Sequence, residues 1–533
     1  MFGFLFSNHN REFRVQRSYA ELEPQEVLLD KFVRDQEGES YHEKKIEVPL
    51  SQKLLRVLFA GFILAAAGFL AQSAIFQVVD HNKMVAAAKN NLVRSAPILA
   101  ERGVIYDRNG TQLAFNRPGF DLICDRRDFP IERIKRGEQL LLIARIIGRD
   151  IKELEETFEK DQTPKFIAKE NLDHEQLVMW EANKSQVAGC KLQQSVIREY
   201  AGIEFSHLLG YTAKMTAQEL QTRSDYFVGE NIGKIGIEKT YEDILRGKPG
   251  EIFVEKDSRG ETIGEERIEE QEPGKSIVLS IDAGLQGKLA RSLQGVFVKT
   301  GTKKGVAIAM DPRDGKVIAL VSMPGFDNNL FSQGIDQKDW KVLLDDPLKP
   351  MFNRALAGAY PTGSVIKPIV GLAALQEGII TARTVIYAPL ELCVKNKYTG
   401  QDECFRDWSF HGDSDIKRAI AESVNTFFYI VGGGHEDFKG LGPQRIKEYI
   451  QKFGWGEKTG IDLPGEVAGQ LPSFDSNWRL GNTYHFSIGQ GPFAITPLQV
   501  VNAFAAVANG GTLYQPHVAD KIIDKDKKAV YEF

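Results

Sequence analysis

The stretch Tyr360-Pro361-Thr362-Gly363-Ser364-Val365-Ile366-Lys367-Pro368-Ile369-Val370-Gly371-Leu372-Ala373-Ala374-Leu375 decides how this chain is read. Tyr360 to Gly363 is turn material, and the run from Ser364 to Leu375 reads as an apolar helix with the serine near its first turn. An i, i+3 spacing puts Ser364 and Lys367 on one helical face. A serine hydroxyl is unreactive at neutral pH. A lysine buried in an apolar helix has its neutral form favoured by desolvation, which makes it a base for that hydroxyl. The helix N-terminus favours the negative charge that develops on attack. Alone, Ser-x-x-Lys is a short pattern that also arises as a helix cap beside a solvated lysine, so its weight depends on its surroundings.

Those surroundings are informative in both directions. Downstream, Ala421-Glu422-Ser423-Val424-Asn425-Thr426-Phe427-Phe428-Tyr429 gives a Ser-x-Asn triplet that opens an aromatic helical run. Upstream, the texture changes at Ser276: IVLSID reads as a strand, AGLQGKLARSLQGVFV as an amphipathic helix, and GVAIAMD and KVIALVSM as two strands joined by the turn Pro312-Arg313-Asp314-Gly315. A domain is therefore placed at 276–533. Residues 80–275 are polar and irregular, with strand-like Phe120-Asp121-Leu122-Ile123, a charged helix from Ile151 to Lys160 and the helix-like IEKTYEDILRG, and read as a separate α+β module.

The run Leu54 to Val79 is apolar all round, interrupted only by Arg56, and long enough to cross a hydrocarbon core of roughly 30 Å as one helix. The charged segment 1–52 before it is too long for the n-region of a cleaved leader, so the helix 53–79 is expected to stay as an anchor. Lys44, Lys45, Lys53 and Arg56 on its N-terminal flank favour a cytoplasmic N-terminus, with Lys83 and Lys89 weakening the bias. The bulk of the chain then faces outward. A net charge of −5 over 533 residues, without a long basic run, excludes a nucleic-acid binder. Four cysteines are too few for a disulfide scaffold.

SVIK at 364–367 followed by SVN at 423–425 resembles the first two motifs of the penicillin-recognising serine acyltransferases. Their flanks narrow the resemblance. MDPRDGKVIALVSMPGFDNNLF, FNRALAGAYPTGS, TGIDLPGE and SIGQGPFAITPLQVVNAFAAVANGG are similar to class B penicillin-binding proteins, as are RGVIYDRNGTQLA from Arg102, HLLGYT from His207, GKIGIEKTYEDILRGKPG from Gly233 and LSIDAGLQ from Leu279. The stretches PGFDNNLFSQGI and RDWSFHG lie nearer the elongation-specific branch than the division-specific one.

That resemblance implies an α+β multidomain protein: a cytoplasmic segment at 1–52, a single N-terminal transmembrane helix at 53–79, an elongated pedestal of the dimerisation type at 80–275, and a transpeptidase α/β domain at 276–533 with an antiparallel sheet flanked by helices. It implies a peptidoglycan D,D-transpeptidase that cross-links stem peptides during cell elongation and is trapped by β-lactams. Carried over, Ser364 is the nucleophile, Lys367 its base, and Ser423 and Asn425 relay protons and hold the substrate amide. The implied setting is the bacterial inner membrane, single-pass, with the bulk periplasmic. The implied partners are a SEDS-family glycosyltransferase and other elongation-complex proteins, and no cofactor is required. Three other readings stand beside it: a hydrolase sharing Ser364 and Lys367, a non-catalytic membrane-anchored scaffold or β-lactam sensor, and a division-specific transpeptidase.

The family's third motif, Lys-Thr-Gly on a strand facing the nucleophile, is expected after Ile488-Gly489-Gln490-Gly491 and Asn509-Gly510-Gly511. The sequence reaches Phe533 without it, and the expectation is an incomplete transpeptidase domain. Lys299-Thr300-Gly301 and Lys458-Thr459-Gly460 stand in the wrong order and read as turns. Between the two motifs, Cys393, Cys404, Asp407 and His411 form an admissible tetrahedral zinc set, and some relatives of the elongation type carry zinc there. Those relatives have a cysteine where this chain has Val424. The rival readings are a Cys393–Cys404 disulfide and plain unpaired loop residues with Asp407 and His411 in ordinary hydrogen bonds, and all three stay open at this point.

Overall fold

The computed structural model describes residues 52–75, 93–160, 164–223, 225–227, 229–256, 262–395 and 400–533. The expected cytoplasmic segment, apart from Gln52, and the expected end of the anchor at 76–79 lie outside them. The chain divides into two compact units, Met1–Asn91 and Leu92–Phe533.

In the first unit, Gln52–Ala74 is one α-helix of 23 residues, about 35 Å long at 1.5 Å per residue. Its Arg56–Ala74 stretch is long and apolar enough to cross a membrane by length and composition, and none of it is buried. Leu58, Phe62, Leu64 and Phe69 all stand exposed, which water disfavours and lipid does not.

The second unit is built on a seven-stranded sheet. Ala529–Glu532, Ala519–Ile523, Ser276–Leu279, Ile105–Tyr106, Gln112–Asp125 and Lys165–Lys169 lie side by side in that order, and Cys190–Tyr200 also pairs with Gln112–Asp125. Ser276–Leu279 runs parallel to Ile105–Tyr106 and antiparallel to Ala519–Ile523, so the sheet crosses position 275/276, where the sequence texture changes. Alternation along Gln112–Asp125 buries Leu122 and Cys124 into a distal core with Phe129, Ile143, Phe166 and Trp180. A second core mixes Ile105 and Leu113 with Ile277, Leu279, Val317 and Val518.

The third core is almost wholly helical and lies under the motif residues, with Ile366, Ile369, Val370, Phe427, Phe428, Trp455 and Tyr484 at its centre. Beside it, helix Ala283–Thr300 is capped by Asp282, whose side chain accepts from the Leu285 N–H, and is stopped by Gly301 in the left-handed region at φ 73°. That turn is the Lys299-Thr300-Gly301 triplet. In Lys458-Thr459-Gly460, the Thr459 and Gly460 N–H groups donate to the Glu466 carboxylate, a surface-loop arrangement.

The sequence expectation for Ile151–Lys160 is met residue for residue. IEKTYEDILRG instead splits into Gly236–Thr240 and Glu242–Leu245 about Tyr241. The reason is a buried ionic cluster: Arg102 and Arg198 reach the fully buried Glu238 at 2.6 and 2.8 Å, and Arg102 also takes Glu242 at 2.6 Å. Both carboxylates must turn toward the Arg102 guanidinium, and Glu238 toward that of Arg198 as well.

Candidate active site

Ser364 does not open a regular α-helix. Gly363–Ile366 is a 3₁₀ turn, and the α-helix proper runs Lys367–Gln376, with Pro368 in its first turn where the missing N–H is harmless. The turn is set by close backbone approach. Gly363, at φ 53°, donates its N–H to Gly489 O at 3.0 Å, and a Cβ on Gly489, itself at φ 74°, would lie 2.2 Å from Gly363 O. Tyr360 and Ile495 exchange backbone hydrogen bonds at 3.0 and 2.9 Å, tying the segment before the serine to the segment after Gly489. Ser364 is left exposed while Lys367, one helical turn on, is 1% exposed.

The buried Lys367 ammonium donates to three acceptors: Ser423 O at 2.7 Å, Ser423 Oγ at 3.1 Å and Asn425 Oδ1 at 2.7 Å. Ser423 Oγ in turn lies 2.8 Å from Ser364 Oγ. All four residues expected from the two motifs are thus in one hydrogen-bonded chain. The expected pairing of lysine with nucleophile is modified, because Ser423 stands between them. The 3₁₀ turn keeps Ser364 and Lys367 on one face, since i and i+3 eclipse there, and the Ser423 hydroxyl comes between them from the other motif.

Burial pushes the Lys367 ammonium down to about 8, against an opposing pull from the negative charge of Asp407. The ring of Phe428 lies 5.6 Å from Nζ and closes one side of the site. Ser423 sits in the left-handed region at φ 55°, a conformation that costs a residue with a Cβ and persists only where its surroundings enforce it. Its enforcement is backbone: Ser423 N–H donates to Ile420 O, and Val424 N–H to Ala419 O at 2.9 Å.

The residues of the same region do not fit the expected zinc set as they stand. Cys393 and Cys404 face each other across the antiparallel hairpin Glu391–Lys395/Asp402–Arg406 and are joined in a disulfide, so neither offers a thiolate. Asp407 and His411 do lie together, with 3.8 Å between Oδ1 and Nε2, and His411 Nε2 has no hydrogen-bond partner. Two donors do not close a tetrahedral zinc site, and Val424 supplies no third. His411 Nδ1 is taken up by Glu422 at 2.9 Å instead. Among the described residues, the one group of metal-ligating side chains within reach of one another is Glu391, Cys393 and Cys404, and two of those three are oxidised. A second disulfide, Cys124–Cys190, pins the distal ends of Gln112–Asp125 and Cys190–Tyr200; their spacing of 66 in sequence gives no hint of it. Asp407 and Phe428 are the members of the site that sequence reasoning missed in their actual roles, because both act through contacts at long sequence separation.

Residues 305–532 match the penicillin-binding protein transpeptidase domain, and residues 97–279 the penicillin-binding protein dimerisation domain. The chain is 34% identical over 517 residues to the peptidoglycan D,D-transpeptidase MrdA of Haemophilus influenzae, covering 93% of this chain and 76% of that one. Among solved structures it resembles penicillin-binding protein 2 of Helicobacter pylori in complex with MreC, at a TM-score of 0.68 and 28% identity over 82% of this chain and 80% of that one. It also resembles a component of a peptidoglycan synthase complex that coordinates polymerization and crosslinking, at a TM-score of 0.62 and 26% identity over 90% and 82%. With both domains matched in order and the motif residues gathered at one site, the chain belongs to the penicillin-binding protein 2 family of peptidoglycan D,D-transpeptidases.

Proposed function

We propose that this chain is a serine-type D,D-transpeptidase of peptidoglycan synthesis in cell elongation, with Ser364 as its acyl-carrying nucleophile. The observation that carries this reading is the contact chain from exposed Ser364 through Ser423 to buried Lys367. With Lys367 neutral, the Ser364 proton passes to Ser423 Oγ as the Ser423 proton passes to Nζ. Ser364 Oγ then bonds to the carbonyl carbon of the penultimate D-alanine. The peptide bond to the terminal D-alanine breaks, and that D-alanine leaves as the amine after taking a proton from the Lys367 side. The Ser364 N–H, in the first turn of its helix, is one donor for the oxyanion. An amine of a second stem peptide attacks the ester carbonyl, forms the cross-link and frees Ser364. Asn425, which holds Nζ through Oδ1, keeps the base aimed at Ser423 and presents its amide nitrogen for the substrate backbone.

β-Lactams would acylate the same oxygen. The helix Arg56–Ala74 anchors the chain in the inner membrane, with its N-terminus cytoplasmic and the catalytic unit periplasmic, in keeping with the basic residues before the span. A SEDS-family glycosyltransferase and an MreC-like scaffold are the partners this setting suggests, by analogy with the assemblies in which similar proteins are found.

The test is labelling of the purified 533-residue chain with a fluorescent penicillin beside Ser364→Ala. Covalent label in the first and none in the second is the expected result. Label surviving in Ser364→Ala would sink the assignment.

A further inference from the structure

We propose that Asp407 is a positioning residue for the Ser423–Asn425 turn, fixed at the foot of the disulfide-stapled hairpin where the family pattern suggested a metal. The inference rests on the acyl-transfer reading of Ser364. Asp407 is 3% exposed, and its carboxylate is fully engaged. Oδ2 accepts from Thr426 N–H at 2.8 Å and from Thr426 Oγ1 at 3.0 Å, while Oδ1 accepts from Trp408 N–H at 2.8 Å. The helix it faces, Asn425–Gly433, receives no side-chain cap from its own N-cap residue Val424. Asp407 therefore supplies from 19 residues away what an N-cap normally supplies locally: an acceptor for an orphan N–H group, that of Thr426, and a negative charge at the positive end of the helix dipole.

What this cap holds is the site itself. Thr426 is the neighbour of Asn425, and Ser423, in its strained left-handed conformation, is three residues before Thr426. One side of the strained turn is held by the end of Ile416–Ala421 through Ala419 O and Ile420 O; the other is held by Asp407. Asp407 is located in turn by the hairpin. Its N–H donates to Leu390 O at 2.8 Å, it directly follows strand Asp402–Arg406, and that strand is clamped to Glu391–Lys395 by Cys393–Cys404. Phe405 pins the hairpin to the core against Tyr429 and Tyr484, with ring centroids 6.0 and 5.0 Å away. The covalent staple and the buried carboxylate together fix the turn that a metal cluster does not fit. The charge of Asp407 also acts on Lys367, opposing the effect of its burial.

The experiment uses the detergent-solubilised full chain and Asp407→Ala, Asp407→Asn and Asp282→Ala. Asp282 caps Ala283–Thr300 in the same fashion but away from the site, so it reports what losing a purely structural cap does. Melting temperature, the first-order acylation rate, the non-covalent dissociation constant for a fluorescent penicillin, and hydrogen exchange across 423–428 are measured for each. Asp407→Ala and Asp282→Ala are expected to lower the melting temperature comparably. Only Asp407→Ala is expected to slow the acylation step, by roughly 100-fold, because small displacements of a reacting group have costs of this order. Its non-covalent affinity should fall far less than the acylation rate, since Asp407 itself is buried and of the displaced turn only Asn425 faces the ligand. Asp407→Asn, which keeps one carbonyl acceptor, should fall between. Faster exchange at 423–428 should accompany the loss in Asp407→Ala alone. Wild-type acylation in Asp407→Ala, or unchanged exchange at 423–428, would overturn the proposal. A wild-type chain that takes no penicillin would instead defeat the acyl-transfer reading, and the exchange data would still judge the positioning.

Discussion

Lys367 has to be both buried and reactive, and its surroundings reconcile the two. Dehydration disfavours the ammonium, the negative charge of Asp407 opposes that loss, and Ser423 O, Ser423 Oγ and Asn425 Oδ1 accept its hydrogen bonds. With the group pushed down to about 8, about a tenth of the molecules carry the neutral amine at pH 7. Acylation that needs this base should therefore climb about tenfold per pH unit below neutrality and level off above about pH 8. Rapid-mixing measurements of penicillin acylation between pH 6 and 10 test this; a rate flat across that range would remove Lys367 from the base role. The stability linkage has a definite sign. The folded chain releases this proton near pH 8 and the unfolded chain near 10.5, so between those values the unfolded state holds more protons and the contribution of the site to stability rises with pH. The four motif residues were legible because short spacings recur with this chemistry. The order of the contacts was not, since it depends on the left-handed Ser423 between the two, which leaves no mark in residue type.

The hairpin Glu391–Lys395/Asp402–Arg406 shows the same limit one level up. Cys393, Cys404, Asp407 and His411 are close enough in sequence to pass as a ligand set, but a strand register decides which side chains meet. Opposed positions on an antiparallel pair brought the two sulfurs together, and Asp407 fell beyond the end of the strand, where it turned to the helix at Asn425. Both cysteine pairs, Cys124–Cys190 and Cys393–Cys404, are oxidised, the state that an oxidising compartment keeps. The chain unfolded in denaturant without reductant, with a chelator present, should therefore show no thiol reactive toward a colorimetric disulfide reagent, whereas a zinc site would release thiols at 393 and 404. Reducing the 11-residue Cys393–Cys404 loop should lower stability by about 3 kcal/mol by the loop-closure argument. Two reactive thiols per chain before reduction would restore the metal reading. Elements carried by their own periodicity, such as Ile151–Lys160, were legible in full; those whose ends are set by distant partners, such as the helix broken at Tyr241, were not.

At the scale of the molecule, the change of texture at Ser276 marks where the sequence becomes regular, and the folded unit is continuous across it. Ser276–Leu279 lies between Ile105–Tyr106 and Ala519–Ile523, so it is hydrogen-bonded on one edge to the early part of the unit and on the other to the end of the chain. The second core repeats this with side chains: Ile105, Leu113 and Ile237 share it with Ile277, Val317, Leu463 and Val518, all buried. Asp462 adds a polar bond across the same line, accepting from the Tyr241 hydroxyl at 2.8 Å and from the N–H groups of Val518 and Ala519 at 2.7 and 2.8 Å. A unit divided at 275/276 would expose that core on both halves and strip Ile105–Tyr106 of its parallel neighbour, a loss of many kcal/mol against a usual net stability of about 5–15 kcal/mol. Residues 92–533 expressed without the membrane helix should therefore melt in one calorimetric transition whose van't Hoff and calorimetric enthalpies agree, while 276–533 alone should be insoluble or lack a cooperative melt. Two resolved transitions in 92–533, with 276–533 folding by itself, would mean that the shared sheet and core are a contact between independent domains.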